Sequence, residues 1–269
     1  MNNSQNKIKS TIRPAAVAGQ FYPANPVELE LMVESLLNDV EEIPPPSKAI
    51  IAPHAGLIYS GPIAAIAYTS LQSVKEKINR VVLLGPAHRV YLKGLALSSV
   101  DYYETPLGKI EIDQDSYDSI RNLSQVSVVD AAHAEEHSIE VHLPFLQLVL
   151  DRFKLIPIVV GEASPEEVEE VLEILWGNDN TLVVISSDLS HFHDYETAQK
   201  LDLSTSKAIE NLHLESIGPQ QACGCMPMRG LLQLARNKHL KVKMLDLRNS
   251  GDTAGTKDRV VGYGAYAVN

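Results

Sequence analysis

The sequence predicts an α/β protein with a mixed, mostly parallel β-sheet and helices on both faces of that sheet. Short runs rich in Val, Ile and Leu, bounded by Pro, Gly or Ser, are typical of strands buried on both faces. These runs alternate with segments of helical character, as in βα units. The chain has 269 residues, 45% of them hydrophobic and 21% charged. It is therefore long enough to bury a large core.

In the first half of the chain, Pro, Gly and Asn separate the predicted elements. Asn25 caps a helix over 26–37 that has Pro26 at its first position. A strand over 48–52 precedes a helix of small residues over 62–71, which suits close packing on a sheet. The remaining assignments are a strand over 80–85, strands over 94–100 and 109–113 around a turn at 105–108, and a helix over 114–122.

The second half of the chain continues the alternation. A helix over 135–151 is crossed by Pro144. A helix over 164–176 has Ser164 as its cap, Pro165 at its first position and acidic residues in its first turn, which favours the helix dipole. The remaining assignments are strands over 154–160, 182–187, 241–247 and 259–268, and helices over 195–212 and 219–237.

Composition excludes several classes of function. The chain has 23 Lys and Arg against 34 Asp and Glu, a formal net charge of -11, so we expect neither nucleic acid nor a membrane as partner. Residues 1–12 carry no signal-peptide core, which predicts a cytoplasmic protein. We expect one domain over 1–269, flexible at 1–12. The glycines near 251–255 match no phosphate-binding motif, so we infer no nucleotide cofactor.

Three predicted strands end in loops that carry a histidine, namely His54, His88 and His191. If the strands are parallel neighbours, these loops share the sheet edge where α/β folds bind ligands. Two neutral imidazoles, from His54 and His88, and one anionic donor form a metal site with open positions. A carboxylate donor favours iron(II), whereas a thiolate favours copper(I) or zinc. The residues leave four third donors open: Glu140, Asp188, Cys223 and Cys225.

Further polar residues are candidates for roles beside the metal. His191 suits a general acid or base near neutral pH, and Asp188 suits the orienting of an imidazole. His137, Glu140 and Cys225 are weaker pocket candidates, because a helix surface or core packing also explains them. The two cysteines lie too close in sequence for an unstrained bridge, so we expect free thiols.

The segments that carry these residues resemble the Memo family. They are A-I-I-A-P-H-A-G at 49–56, L-G-P-A-H at 84–88, E-H-S-I-E-V-H-L-P at 136–144 and S-S-D-L-S-H at 186–191. Residues 14–23 and 260–263 resemble it too, so the likeness covers nearly the whole chain. Prokaryotic members of the family are called AmmeMemoRadiSam system protein B.

The resemblance implies a fold shared with class III extradiol (LigB-like) ring-cleavage dioxygenases, whose iron is held by two histidines and a glutamate. Carried over to this chain, it implies His54, His88 and Cys223 as metal ligands, with Asp188 and His191 as catalytic residues of the pocket. The implied function is a non-haem iron or copper oxidoreductase acting on an unknown small molecule, with zinc as a further candidate ion.

Two other classes of function stay open. One is a non-enzymatic module that keeps the pocket and holds a peptide or a partner protein. The other is a zinc-assisted hydrolase. The resemblance also implies AMMECR-like and radical SAM proteins of the same system as partners.

Overall fold

The structure is a computed structural model that describes residues 10–269. The strands are β1 (Ile12–Arg13), β2 (Ala49–Ala52), β3 (Arg80–Pro86), β4 (Leu95–Leu97), β5 (Tyr102–Thr105), β6 (Gly108–Glu111), β7 (Val126–Val128), β8 (Lys154–Val160), β9 (Thr181–Ser186), β10 (His191–His193), β11 (Val242–Asn249) and β12 (Val260–Val268). The α-helices are α1 (Pro26–Asn38), α2 (Leu57–Thr69), α3 (Gln114–Ile120), α4 (Asp130–Ala134), α5 (His137–Glu140), α6 (Leu143–Val149), α7 (Pro165–Leu175), α8 (Tyr195–Glu210) and α9 (Cys225–Asn237).

The described strands form a nine-stranded sheet and a small sheet of β1, β5 and β6. The large sheet has the order β10-β12-β2-β9-β3-β8-β4-β7, with β11 paired to β12. Strands β2, β9, β3 and β8 run parallel at its centre, whereas β12 and β4 join them in antiparallel fashion. The predicted mixed α/β fold class is confirmed.

The central strands are buried along nearly their whole length. Because successive side chains of a strand point to opposite faces, this burial requires cover on both sides of the sheet. Helices α1, α2 and α6 pack together, as do α3, α7 and α9. Among residues 10–269, no helix is both long and apolar enough to cross a bilayer.

Several predicted boundaries need correction. Helix α2 begins at Leu57 rather than at 62, so Pro62 lies inside it. The strand predicted over 94–100 shortens to β4 and pairs with β7 and β8, and the partner of β6 is β5 instead. The helix predicted over 135–151 divides into α5 and α6, because Pro144 has no N–H to continue the hydrogen-bond ladder.

Two terminal boundaries also differ from the prediction. Helix α9 begins at Cys225 rather than at 219. Most of the segment predicted to be flexible, 1–12, lies outside the described residues. Its last residue, Ile12, belongs to β1 and pairs with Tyr102 of β5.

Candidate metal centre

The carboxyl ends of three neighbouring parallel strands build the site. His54 follows β2, His88 follows β3 and Asp188 follows β9, in each case two residues after the strand ends. Because β9 pairs in parallel with both β2 and β3, these three loops lie side by side. This is the sheet edge at which open α/β folds place ligands.

Cys223 reaches the same edge from the loop that precedes α9. The Cys223 N–H donates to the Asp188 carbonyl over 3.3 Å, and the Asp188 N–H donates to Cys223 Sγ over 3.3 Å. These two contacts tie the α9 loop to the β9 loop, although 35 residues separate them in sequence. Both cysteines of the chain are free thiols.

His54, His88 and Cys223 each offer one ligand atom, and these atoms all lie within 4.8 Å of one another. His54 Nε2 is 3.4 Å from Cys223 Sγ, and the two imidazole centroids are 5.2 Å apart. His54 is buried, whereas the side chain of His88 is 28% exposed. A small ligand would therefore approach the group from the side of His88.

Glu136 orients the His88 ring. Its carboxylate accepts from the His88 backbone N–H over 2.6 Å and from His88 Nδ1 over 2.8 Å. Because a carboxylate only accepts, the proton of the neutral ring sits on Nδ1 and Nε2 is free to bind an ion. Burial raises the pKa of Glu136, but the hydrogen bonds and charge of His88 outweigh that effect and lower it to about 2.

His54 is fixed on both its backbone and its ring. Its backbone N–H donates to Asp188 Oδ1 over 2.8 Å, and its Nδ1 lies 2.5 Å from Ser186 Oγ. Burial, together with the charges of neighbouring histidines, holds the pKa of His54 far below its usual value. The ring is therefore neutral at physiological pH, as a metal-binding imidazole must be.

Asp188 fixes both sides of the site. Its carboxylate holds the His54 loop, and its backbone holds the Cys223 loop. It was expected to orient an imidazole ring, but its carboxylate holds the His54 backbone instead. Burial raises the pKa of Asp188, and burial and the Asp188 charge raise the pKa of the Cys223 thiol. A bound cation would reverse this preference and favour the thiolate, so metal uptake should release a proton.

His191 begins β10, three residues after Asp188. Its Nδ1 donates to the Leu189 carbonyl over 2.8 Å, which leaves Nε2 of the neutral ring free to accept a proton. Burial has the largest effect on the pKa of both His54 and Asp188, and the charge of His191 acts to lower both pKa values. The next residue, Phe192, is 62% exposed and has a φ of 64°.

His137 packs against both His54 and His88 without completing a second ion site. Its ring stacks on His88 with centroids 4.7 Å apart, and its Nδ1 has no hydrogen-bond partner within residues 10–269. His88, Glu136 and His137 form another group of close donors. Glu136 Oε1, however, already accepts from His88 Nδ1 and from the N–H groups of His137 and Ser138. Burial, aided by the charge of His88, lowers the pKa of His137 to about 4.

Glu140 has a structural role rather than the expected role as pocket residue or third donor. It is fully buried and pairs with the Arg13 guanidinium. Its carboxylate also accepts from the N–H groups of Ala16 and Val17 and from the Tyr22 hydroxyl. Both oxygens are therefore engaged in holding the N-terminal segment.

Cys225 is likewise not one of the grouped donors. It begins α9 and is 2% exposed, within the hydrophobic core. Burial raises the pKa of its thiol. Among the third donors that the sequence left open, Cys223 is the one that lies with the two imidazoles.

The fold and the grouped donors define an α/β protein with a candidate metal centre of two histidines and one cysteine. The family model described as Memo-like protein matches residues 13–267. The chain belongs to the Memo family, as its sequence motifs predicted.

Individual relatives agree with this assignment. A MEMO1 family protein of Sulfolobus acidocaldarius is 34% identical over 277 residues, which cover 94% of this chain and 97% of that protein. One from Aquifex aeolicus is 37% identical over 265 residues with the same coverage. The crystal structure of an uncharacterized protein from Escherichia coli K12 gives a TM-score of 0.49 at 11% identity, covering 80% of this chain and 98% of that one. A likeness at this level assigns no function.

Proposed function

We propose that this protein binds one metal ion through His54, His88 and Cys223 and uses it for oxidoreductase chemistry on a small molecule. The observation that carries the proposal is the convergence of these three ligand atoms to within 4.8 Å at the carboxyl edge of the sheet. Three protein donors leave coordination positions open for a substrate, as catalytic metal sites do.

The donor chemistry indicates which ion fits. Both imidazoles are held in place by hydrogen bonds to Nδ1, and the third donor is a sulfur atom. Soft thiolate ligands select copper(I) or zinc, whereas iron(II) oxygenases use a carboxylate in that place. We infer copper as the redox ion of this site, with zinc as its competitor and iron(II) as the weaker binder.

The bound ion would supply electron transfer, and the side chains around it would handle protons and access. His191 Nε2 is available to take a proton from a substrate and return it. Asp188 is a positioning residue, because it holds the His54 loop and the Cys223 loop together. Phe21 packs on His137 with ring centroids 4.7 Å apart and closes one wall of the pocket.

Metal analysis of untagged protein tests the first step. The protein is loaded anaerobically with copper(I), zinc or iron(II), desalted and assayed for bound ion. We expect about one ion per chain in the wild type and a loss of binding in His54→Ala, His88→Ala and Cys223→Ser. The control is His213→Ala, which removes an exposed histidine. Unchanged metal content in the three site variants would contradict the proposal.

The same donor set also supports a second function, zinc-assisted hydrolysis, because zinc accepts thiolate and imidazole ligands. Hydrolysis predicts turnover of ester or amide substrates by the zinc form without oxygen. Oxidoreductase activity instead requires the copper form and an electron acceptor. A protein that turns over neither type of substrate, and that still captures a peptide after both His54 and His88 are replaced, would be a binding module.

A further inference from the structure

A chain of hydrogen bonds leads from the core of the protein to His54. Tyr68 Oη lies 2.8 Å from His142 Nδ1, and His142 Nε2 lies 2.8 Å from Ser186 Oγ. Ser186 Oγ lies 2.5 Å from His54 Nδ1 and 2.6 Å from the Ser138 carbonyl oxygen. The side chains of Tyr68, His142, Ser186 and His54, here called the Tyr68 relay, are all buried.

The chemistry of these groups fixes where each proton lies. The Ser138 carbonyl can only accept, so the single hydroxyl hydrogen of Ser186 points to it. Both imidazoles must then donate to the two lone pairs of Ser186 Oγ, His142 from Nε2 and His54 from Nδ1. Burial lowers the pKa of His142 to about 3, so its ring is neutral and its Nδ1 accepts. The Tyr68 hydroxyl supplies that hydrogen bond.

This arrangement gives every polar atom of the relay a partner. Ser186 has one donor and two acceptor positions, and all three are used. A change of tautomer at either ring would place two hydrogens, or two lone pairs, against each other inside the core. An unsatisfied buried polar group costs about 1–3 kcal/mol, so the relay favours one proton arrangement over the others.

We propose that Tyr68, His142 and Ser186 are positioning residues that lock His54 in the tautomer with its proton on Nδ1. Without the lock, the proton can move to Nε2 and donate to Cys223 Sγ, 3.4 Å away. Nε2 would then present a hydrogen in place of its lone pair, and that proton would have to leave before an ion binds. The purpose of the lock rests on the proposed metal site, but the tautomer itself is a property of the metal-free protein.

Nuclear magnetic resonance of metal-free, ¹⁵N-histidine-labelled protein tests the lock directly, because it detects which ring nitrogen carries the proton. Long-range ¹H–¹⁵N correlations distinguish the two neutral tautomers of each ring. We expect His54 to carry its proton on Nδ1 and His142 to carry its proton on Nε2. A His54 ring protonated on Nε2 in the wild type would overturn the proposal, whatever the protein does with metal.

A matched pair of variants tests the effect of the lock on the ion. Tyr68→Phe removes only the hydroxyl that begins the relay. Tyr103→Phe is the control, because Tyr103 is equally buried and lies 2.5 Å from Nδ1 of His133, whose Nε2 donates to the Ala96 carbonyl over 3.0 Å. That second pair has the same chemistry but does not contact a proposed ligand.

We expect Ser186→Ala to weaken copper(I) or zinc binding about 10–100-fold, as the loss of a direct partner of a metal-binding histidine does. Tyr68→Phe, which acts through His142 and Ser186, should weaken binding in the same direction. Tyr103→Phe should bind as the wild type does, with both variants folded by circular dichroism. Ser186→Ala removes the acceptor at the centre of the relay and should change the His54 tautomer. Wild-type affinity in Tyr68→Phe, or an unchanged tautomer in Ser186→Ala, would refute the lock. A wild type that binds no metal would refute the proposed function instead.

Discussion

Replacement of Glu140 by Gln tests whether its carboxylate stabilises the fold or binds the metal ion. Oε1 of Glu140 accepts from the Val17 N–H and the Tyr22 hydroxyl, and Oε2 accepts from the Arg13 guanidinium and the Ala16 N–H. A glutamine keeps one acceptor oxygen, so either orientation leaves two buried donors without a partner.

The expected loss of stability follows from that count. Each unsatisfied buried donor costs about 1–3 kcal/mol, so two cost about 2–6 kcal/mol. Breaking a buried ion pair by removing one partner independently costs about 3–5 kcal/mol. Both figures predict that Glu140→Gln lowers the free energy of unfolding by about 4 kcal/mol.

Urea denaturation followed by circular dichroism measures this change, with the exposed Glu135→Gln as control. Metal content of the folded variant is measured in the same preparation and should equal that of the wild type. A loss below about 1 kcal/mol would refute the role assigned to the carboxylate. Loss of metal from a stably folded Glu140→Gln would restore Glu140 as a ligand.

Three further predictions concern charge and packing. Burial raises the pKa of Asp202, and its Oδ2 has no partner within residues 10–269. Asp202→Asn should therefore raise the free energy of unfolding by about 1 kcal/mol at pH 7, and by less at pH 4, where the wild-type carboxyl is more protonated. A lower free energy of unfolding at pH 7 in urea titrations would contradict this. The pKa of Glu136 is lowered to about 2 in the folded protein, so its ionised carboxylate should contribute about 3 kcal/mol to the free energy of unfolding. This contribution should be complete above the unfolded pKa of about 4.3 and be lost as pH falls through 2. Acid unfolding of metal-free protein should show this loss in the wild type but not in Glu136→Gln. A Cβ at Gly230 of α9 would lie 2.3 Å from Val168 Cγ1, so Gly230→Ala should lower the free energy of unfolding by about 1–3 kcal/mol, as measured by thermal melting. Gly61→Ala should lower it less, because the atom that its Cβ would meet is the end of the flexible Leu36 side chain.

The centre of the sheet could be predicted because its strands are continuous apolar runs. Strands β2, β3, β8 and β9 lie within about two residues of their predicted bounds, since burial on both faces leaves a clear signal. Strands β7 and β10 were missed because each has three residues and exists through pairing with a distant strand. Pro144 was a signal for the break between α5 and α6, but the prediction continued one helix across it over 135–151.

The two imidazoles of the site could be predicted from the strand ends that carry them. The third donor could not be chosen from the residues, because the contact between Cys223 and Asp188 spans 35 residues and depends on how the α9 loop folds back. The residues alone do not single out Glu136, because its spacing to Glu140 is that of one helix turn and is typical of a solvated helix face. Its actual partner, the His88 loop, is 48 residues away.

The Tyr68 relay behind His54 could not be predicted from the sequence either. Ser186 and His142 are 44 residues apart in the chain, so the sequence does not indicate that they form a hydrogen bond. Tyr68 lies in a helix of small apolar residues, where its hydroxyl had no visible partner. The side chains of Tyr68, His142 and Ser186 meet because α2, the start of α6 and β9 converge behind the sheet edge, which is a tertiary property.

X-ray absorption spectroscopy of the zinc-loaded protein tests the central claim most directly, because it identifies the donor atoms without assuming a reaction. We expect one sulfur at about 2.3 Å and two imidazole nitrogens at about 2.0–2.1 Å, with the sulfur lost in Cys223→Ser. A shell of oxygen and nitrogen alone in the wild type would contradict it, as would a spectrum unchanged by replacing His54 and His88.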